Sequence, residues 1–73
     1  MLGRKHNALT RRRAALLREW DAALEELRTN EAAFERSEDE FYTEQLIYQH
    51  AALLCRCRAV LRQLRGLERG STP

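Results

Sequence analysis

The sequence predicts an all-α protein, an antiparallel two-helix hairpin of the coiled-coil type. Three observations predict it. Ala, Leu, Arg and Glu, which are strong helix formers, dominate the 73-residue chain. The three Gly and the single Pro lie near the ends, so residues 4–65 contain no helix breaker. Apolar residues recur three and four positions apart along two long segments, which is the period of an amphipathic helix.

The chain is long enough for one small domain only. A single core of this size supplies on the order of 3–5 kcal/mol, so we expect oligomerisation or a partner protein to add support. Cys55 and Cys57 are two residues apart on a predicted helix and point in different directions, which excludes a disulfide between them. No His or Cys stands at zinc-ligand spacing from them. We therefore expect no metal and no cofactor.

The first helix is predicted over about residues 8–36, after a flexible basic segment at residues 1–6. Asn7 and Thr10 are both suitable N-cap residues. One apolar stripe with steps of three, four, three and seven is predicted to face the second helix. Its residues are Leu17, Trp20, Leu24, Leu27 and Phe34.

The break between the helices carries the weakest pattern. Ser37 followed by Glu40 matches a capping box, which predicts a turn near residues 35–38. Thr29-Asn30 is an alternative break with unequal arms. Because no Gly or Pro lies in the middle of the chain, one continuous helix that pairs with another chain also stays open.

The second helix is predicted over about residues 38–67, within a hairpin spanning 7–69 and followed by a disordered tail at 70–73. Its apolar residues form two stripes rather than one. The first completes the hairpin core and comprises Leu46, Leu53, Val60 and Leu64. The second lies on the opposite side and comprises Phe41, Tyr48, Ala52, Cys55 and Ala59.

One neighbouring helix cannot cover two opposite sides of the second helix. We therefore predict that this second stripe binds a partner, because contiguous exposed apolar surface on a small protein tends to mark an interaction site.

Charges are segregated along the chain. Residues 1–13 carry five basic residues and no acid, residues 31–44 carry six acids and one Arg, and residues 56–69 carry five Arg and one Glu. A hairpin would place both basic segments at its open end and the acidic segment at its tip. No aromatic residue is interleaved with the basic residues, so we do not expect a nucleic-acid partner. The possible phosphate contacts are Arg11, Arg12 and Arg13.

Several classes of function lack their usual patterns. We expect no enzyme, because the chain has no Gly-rich phosphate loop and no nucleophile with a nearby base. The longest run without Asp, Glu, Lys or Arg, residues 45–55, is far shorter than the ~20 residues of a membrane span. Unpaired cysteines, with no apolar segment after the basic N-terminus, indicate the cytoplasm.

The segment EFYTEQLIYQHAALL at residues 40–54, with RAVLRQL at 58–64, resembles the second helix of the small helical-hairpin co-chaperones of bacterial type III secretion. That resemblance implies a hairpin that packs on a helical-repeat chaperone and helps to keep the needle subunit monomeric until export. The matching positions are Tyr42, Ala52, Leu53, Val60, Leu61 and Leu64.

The expected function is therefore non-enzymatic binding of an apolar helical surface, on a partner protein or on a second copy of the chain. Two alternatives stay open. One is a Rop-like homodimer, a four-helix bundle of two hairpins that could bind RNA through its basic ends. The other is a coiled-coil structural subunit of a larger assembly.

Overall fold

Two long helices account for nearly all of the described chain. The computed structural model describes residues 2–70, with side chains over residues 7–69. Helix α1 spans Leu2–Arg36 and helix α2 spans Glu40–Gly70. The two pack against each other along their length in a molecule about 57 Å long and 16 by 12 Å across. The predicted all-α helical hairpin is confirmed, and a single continuous helix is excluded.

Both helices are longer than the sequence pattern predicted. Helix α1 begins at Leu2, so residues 2–6, which we predicted to be flexible, are helical. Asn7 and Thr10 therefore lie inside α1 and not at its start, because a good N-cap residue permits a helix start without requiring one. Helix α2 ends at Gly70. Of the predicted tail at 70–73, the last three residues lie outside the described part.

The turn between the helices consists of residues 37–39, and Asp39 caps α2. Its side-chain Oδ1 accepts a hydrogen bond from the backbone N–H of Phe41 at 2.9 Å. Ser37 instead contacts Thr43 through their hydroxyls, 2.8 Å apart. The capping box predicted with Ser37 as N-cap was therefore wrong. Asp39 is an equally good N-cap residue, and its position leaves Ser37 free to close the turn.

The buried side chains follow a seven-residue repeat on both helices, as in a coiled coil. Where α1 meets α2, side chains with only 0–8% of their surface exposed form a narrow, mostly apolar line. We call this line the seam. On α1 the seam contains a leucine, an alanine with no exposed surface and an asparagine, each seven residues from the next. The fully buried seam residues are Leu16, Ala23 and Asn30 on α1 and Leu46, Leu53, Cys57 and Val60 on α2.

Two residues that we placed in the hairpin core lie largely outside it. Leu17 is 43% exposed and Phe34 is 46% exposed. Leu16 occupies the seam in place of Leu17, in the row that continues through Ala23, which has no exposed surface. Phe34 lies in the last turn of α1, where little of α2 remains to cover it. The other predicted core residues of α1, Trp20, Leu24 and Leu27, are half-buried, and so is Leu64 on α2.

Among the side chains of residues 7–69, Asn30 is the only polar one that is buried. Its amide Nδ2 donates to the backbone carbonyl of Leu46 and to the side-chain Oε1 of Gln49, both at 3.0 Å. Among the described residues, no buried side-chain nitrogen or oxygen lacks a partner. Since a buried amide is costly without partners, these bonds favour one register of α2 on α1 over its neighbours.

The seam assignment predicts opposite outcomes for two adjacent leucines. We expect Leu16→Ala to lower the free energy of unfolding by about 2–4 kcal/mol, because it leaves a cavity in the seam. Leu17→Ala should cost less than about 1 kcal/mol in the same assay, since that side chain is already partly hydrated. Chemical denaturation of dilute protein checks this pair. Equal losses, or a larger loss for Leu17→Ala, would contradict the seam.

The Asn30 contacts predict a second effect. Asn30→Ala removes two interhelical hydrogen bonds and should destabilise the hairpin by about 1–2 kcal/mol. Thr29→Ala, at the exposed neighbouring position, is the matched control and should cost only a few tenths of a kcal/mol by the usual behaviour of surface sites. Thermal unfolding followed by circular dichroism compares the two. A change at Asn30 no larger than at Thr29 would show that its bonds contribute nothing.

Candidate interaction surfaces

Neither a metal site nor a membrane-spanning helix is present in the described part of the chain. No group of three His, Cys, Asp or Glu residues lies close enough there to hold a metal ion. No helix within residues 2–70 is long and apolar enough to cross a bilayer.

The five residues predicted to bind a partner all lie on the outward side of α2, opposite the seam. We call them the outer strip: Phe41, Tyr48, Ala52, Cys55 and Ala59. All five are exposed, and the two aromatic side chains most of all, Phe41 at 81% and Tyr48 at 69%. Cys55 is a free thiol on this strip, whereas Cys57 is buried in the seam. Their role in binding stays a prediction.

The middle of α2 has no charged side chain on any side. Residues 45–55 contain no Asp, Glu, Lys or Arg, although one third of the whole chain is charged. Eleven helical residues make about three turns, or roughly 16 Å of helix. The hairpin partner covers only the seam side of this stretch, so its other sides present an uncharged surface to their surroundings.

One broad face of the two-helix ribbon is polar. Arg12 donates to Gln63 and Arg56 pairs with Glu26, and each bond joins α1 to α2. A groove of about 530 Å³ on this side is lined by residues that include Glu26, Tyr42 and Gln49. Gln49, Arg56 and Gln63 are seven residues apart, so they form one row along α2. We call this side the polar face.

The opposite broad face is apolar. Ile47 and Glu31 line one groove of about 410 Å³, together with Phe34, Glu35 and His50. The rows that pass through Ile47 and Glu31 at seven-residue spacing therefore share this side of the ribbon. Ile47 itself is 53% exposed. We call this side the apolar face, and its aliphatic residues are Leu17 and Leu24 on α1 and Ile47, Leu54 and Leu61 on α2.

Reasoning from the sequence missed the apolar face. It assigned Leu17 and Leu24 to the hairpin core and did not join them with Ile47, Leu54 and Leu61 into one surface. The signal was present, because both rows repeat every seven residues beside the seam. Recognising that they share one side required the register of α2 on α1, which the Asn30 contacts fix.

The hairpin brings the two basic segments together at its open end and leaves the acidic segment at its tip. The three possible phosphate contacts, Arg11, Arg12 and Arg13, are all exposed. Arg12 donates to Gln63, and Nη1 of Arg13 lies 3.9 Å from Oε1 of Glu68. Such surface pairs contribute little to stability. The separation of positive and negative ends over about 57 Å is the larger electrostatic feature.

The accessible surface is large for the mass of the chain. It measures 6275 Å² for 8.6 kDa. A compact monomer of this mass would expose about 4,700 Å², so the hairpin exposes roughly 1,600 Å² more. A ribbon of two helices has this excess because neither broad face nor the outer strip is covered by another layer.

Comparisons with protein-family models, with curated proteins and with solved structures find no match to this chain.

Proposed function

We propose that this protein is a non-enzymatic binding protein that acts in the cytoplasm and covers an apolar helical surface of a partner protein through its outer strip. The observation that carries the proposal is the exposure of Phe41 and Tyr48 on the outward side of α2. Two large aromatic rings held in water on a rigid helix favour association with an apolar surface.

The outer strip has the composition of a helix-packing surface. Ala52, Cys55 and Ala59 are small, so a partner helix could approach the backbone of α2 closely beyond Tyr48, toward the open end of the hairpin. Burying a large apolar side chain stabilises a complex by about 1.5–3 kcal/mol before the costs of association. Phe41 and Tyr48 are thus the expected anchors, and the small residues extend the contact surface beyond Tyr48.

The more specific form of the proposal is a co-chaperone that shields an export substrate or its chaperone. The resemblance of residues 40–64 to the type III secretion co-chaperones supports it, as does the size of the hairpin. Proteins of that class act by covering apolar helix, and an outer strip facing away from the seam leaves the hairpin intact while it binds.

Site-specific photocrosslinking in the native cell tests this proposal. A photoreactive residue at Tyr48 should capture one protein species in a discrete adduct that mass spectrometry identifies. Ala52→Glu, in the same chain, should abolish the adduct, because it places a charge in the middle of the outer strip. The purified partner and hairpin should then form a complex whose dissociation constant rises at least tenfold with Ala52→Glu.

Gln63 on the polar face is the matched control position for the photoreactive residue. The proposal requires that it give no adduct with the same partner. It is refuted if Tyr48 gives no discrete adduct, or if the complex with the identified partner tolerates Tyr48→Glu and Ala52→Glu together.

A further inference from the structure

We infer that the apolar face binds a second copy of this chain, in antiparallel orientation, to form a four-helix bundle. This inference concerns a different surface from the outer strip and does not rest on the proposed function. It draws on the paired aliphatic rows, the surface area and the distribution of charge along the ribbon.

The two aliphatic rows match the requirements of a bundle. Leu17 and Leu24 on α1 and Ile47, Leu54 and Leu61 on α2 each repeat at seven residues, the spacing at which helices interlock side by side. A second ribbon laid on this face would give every helix a second neighbour. The polar face could not do the same, because its side chains already bond across the ribbon.

The rows are also compatible with two-fold symmetry. Leu24 lies midway between Leu17 and Glu31, and Leu54 lies midway between Ile47 and Leu61. A two-fold axis that crosses the helices beside Leu24 and Leu54 would therefore lay α1 on α1 and α2 on α2 of the second copy, in opposite directions. Ile47 of one copy would then lie against Leu61 of the other. Closed two-fold dimers of this kind are the commonest assemblies of identical chains.

The exposed area is sufficient for a stable dimer. A standard interface removes about 800 Å² of accessible surface from each partner. The hairpin exposes roughly 1,600 Å² more than a compact monomer of its mass, by the comparison with its 6275 Å² surface. Covering one broad face could thus supply a full interface and still leave the outer strip exposed.

Charge selects both the partner and its orientation. Glu44 and Arg65 lie in the row of α2 beside Ile47, Leu54 and Leu61, Glu44 near the tip and Arg65 near the open end, and both are exposed. Within the described side chains, neither takes part in an ion pair or hydrogen bond. An antiparallel second copy, which lays α2 against α2, would place each Glu44 near the Arg65 of the other copy, whereas a parallel copy would place the acidic tips together.

Sedimentation equilibrium of the full chain over a range of concentrations tests the inference. The wild-type chain should give twice the 8.6 kDa chain mass at high concentration. Ile47→Glu with Leu54→Glu should raise the dimer dissociation constant about a hundredfold or more, since both residues lie at the centre of the face. Tyr48→Glu with Ala52→Glu is the matched control on the same helix and should leave dimerisation unchanged.

Charge reversal tests the orientation and guards against variants that merely unfold. One variant carries Glu44→Lys, and the other carries Arg65→Glu. Each alone should dimerise about tenfold more weakly than the wild type, because like charges then meet. An equimolar mixture should recover the wild-type affinity as a heterodimer. Circular dichroism of each sample reports whether the helices are retained.

Three results would overturn the inference. They are a wild-type monomer at all concentrations, a dimer that survives the Ile47 and Leu54 changes, and a dimer broken instead by the outer-strip control. If each charge-reversal variant alone dimerises as tightly as the wild type, the antiparallel orientation is wrong. These outcomes are separate from those of the partner experiment, which depends on Tyr48 and Ala52.

Discussion

The hydrogen bonds of the buried Asn30 amide decide how the two helices of this protein are aligned. The three-residue turn limits how far α2 can slide along α1, but leucines are closely spaced along both helices, so apolar packing alone does not specify one alignment. An amide that must find its partners in the seam restricts this freedom, as a single buried Asn does in coiled coils. The Leu46 carbonyl and the Gln49 side chain supply those partners, and the positions of all surface residues relative to one another follow from that alignment.

That alignment gives the ribbon two unlike broad faces. On one side, bonds such as the Arg56–Glu26 pair join the helices and present polar groups to water. On the other side, aliphatic rows from both helices lie together beside the groove at Ile47. The outer strip of α2 adds a third surface behind the seam. A chain of 73 residues thus exposes three unlike surfaces around one seam.

The sequence was sufficient to predict the fold class, because helix-forming composition and a seven-residue repeat admit few other structures. The turn was located to within a few residues, although Asp39 rather than Ser37 caps α2. The α1 register could not be predicted, since adjacent Leu16 and Leu17 each fit a regular stripe. The burial of Leu16 in the same row as Ala23 distinguishes them only in the folded hairpin.

The outer strip could be predicted from the sequence because its five apolar residues lie on one side of one helix, opposite the core residues of that same helix. The apolar face could not, because it combines residues from two helices and exists only once their register is set. Surfaces shared between elements depend on tertiary alignment, whereas surfaces on one element depend on helical period alone.

The distance between the two arms within one chain tests this account most directly. Spin labels would be attached at positions 11 and 65 of a chain in which Cys55 and Cys57 are replaced. The distance between the two labels would be measured with excess unlabelled protein present, which suppresses distances between chains. The hairpin predicts a separation on the order of 20 Å, because packed helix axes lie about 8–10 Å apart and the labels add length. A separation near 80 Å, the rise of one continuous helix over this segment, would contradict it.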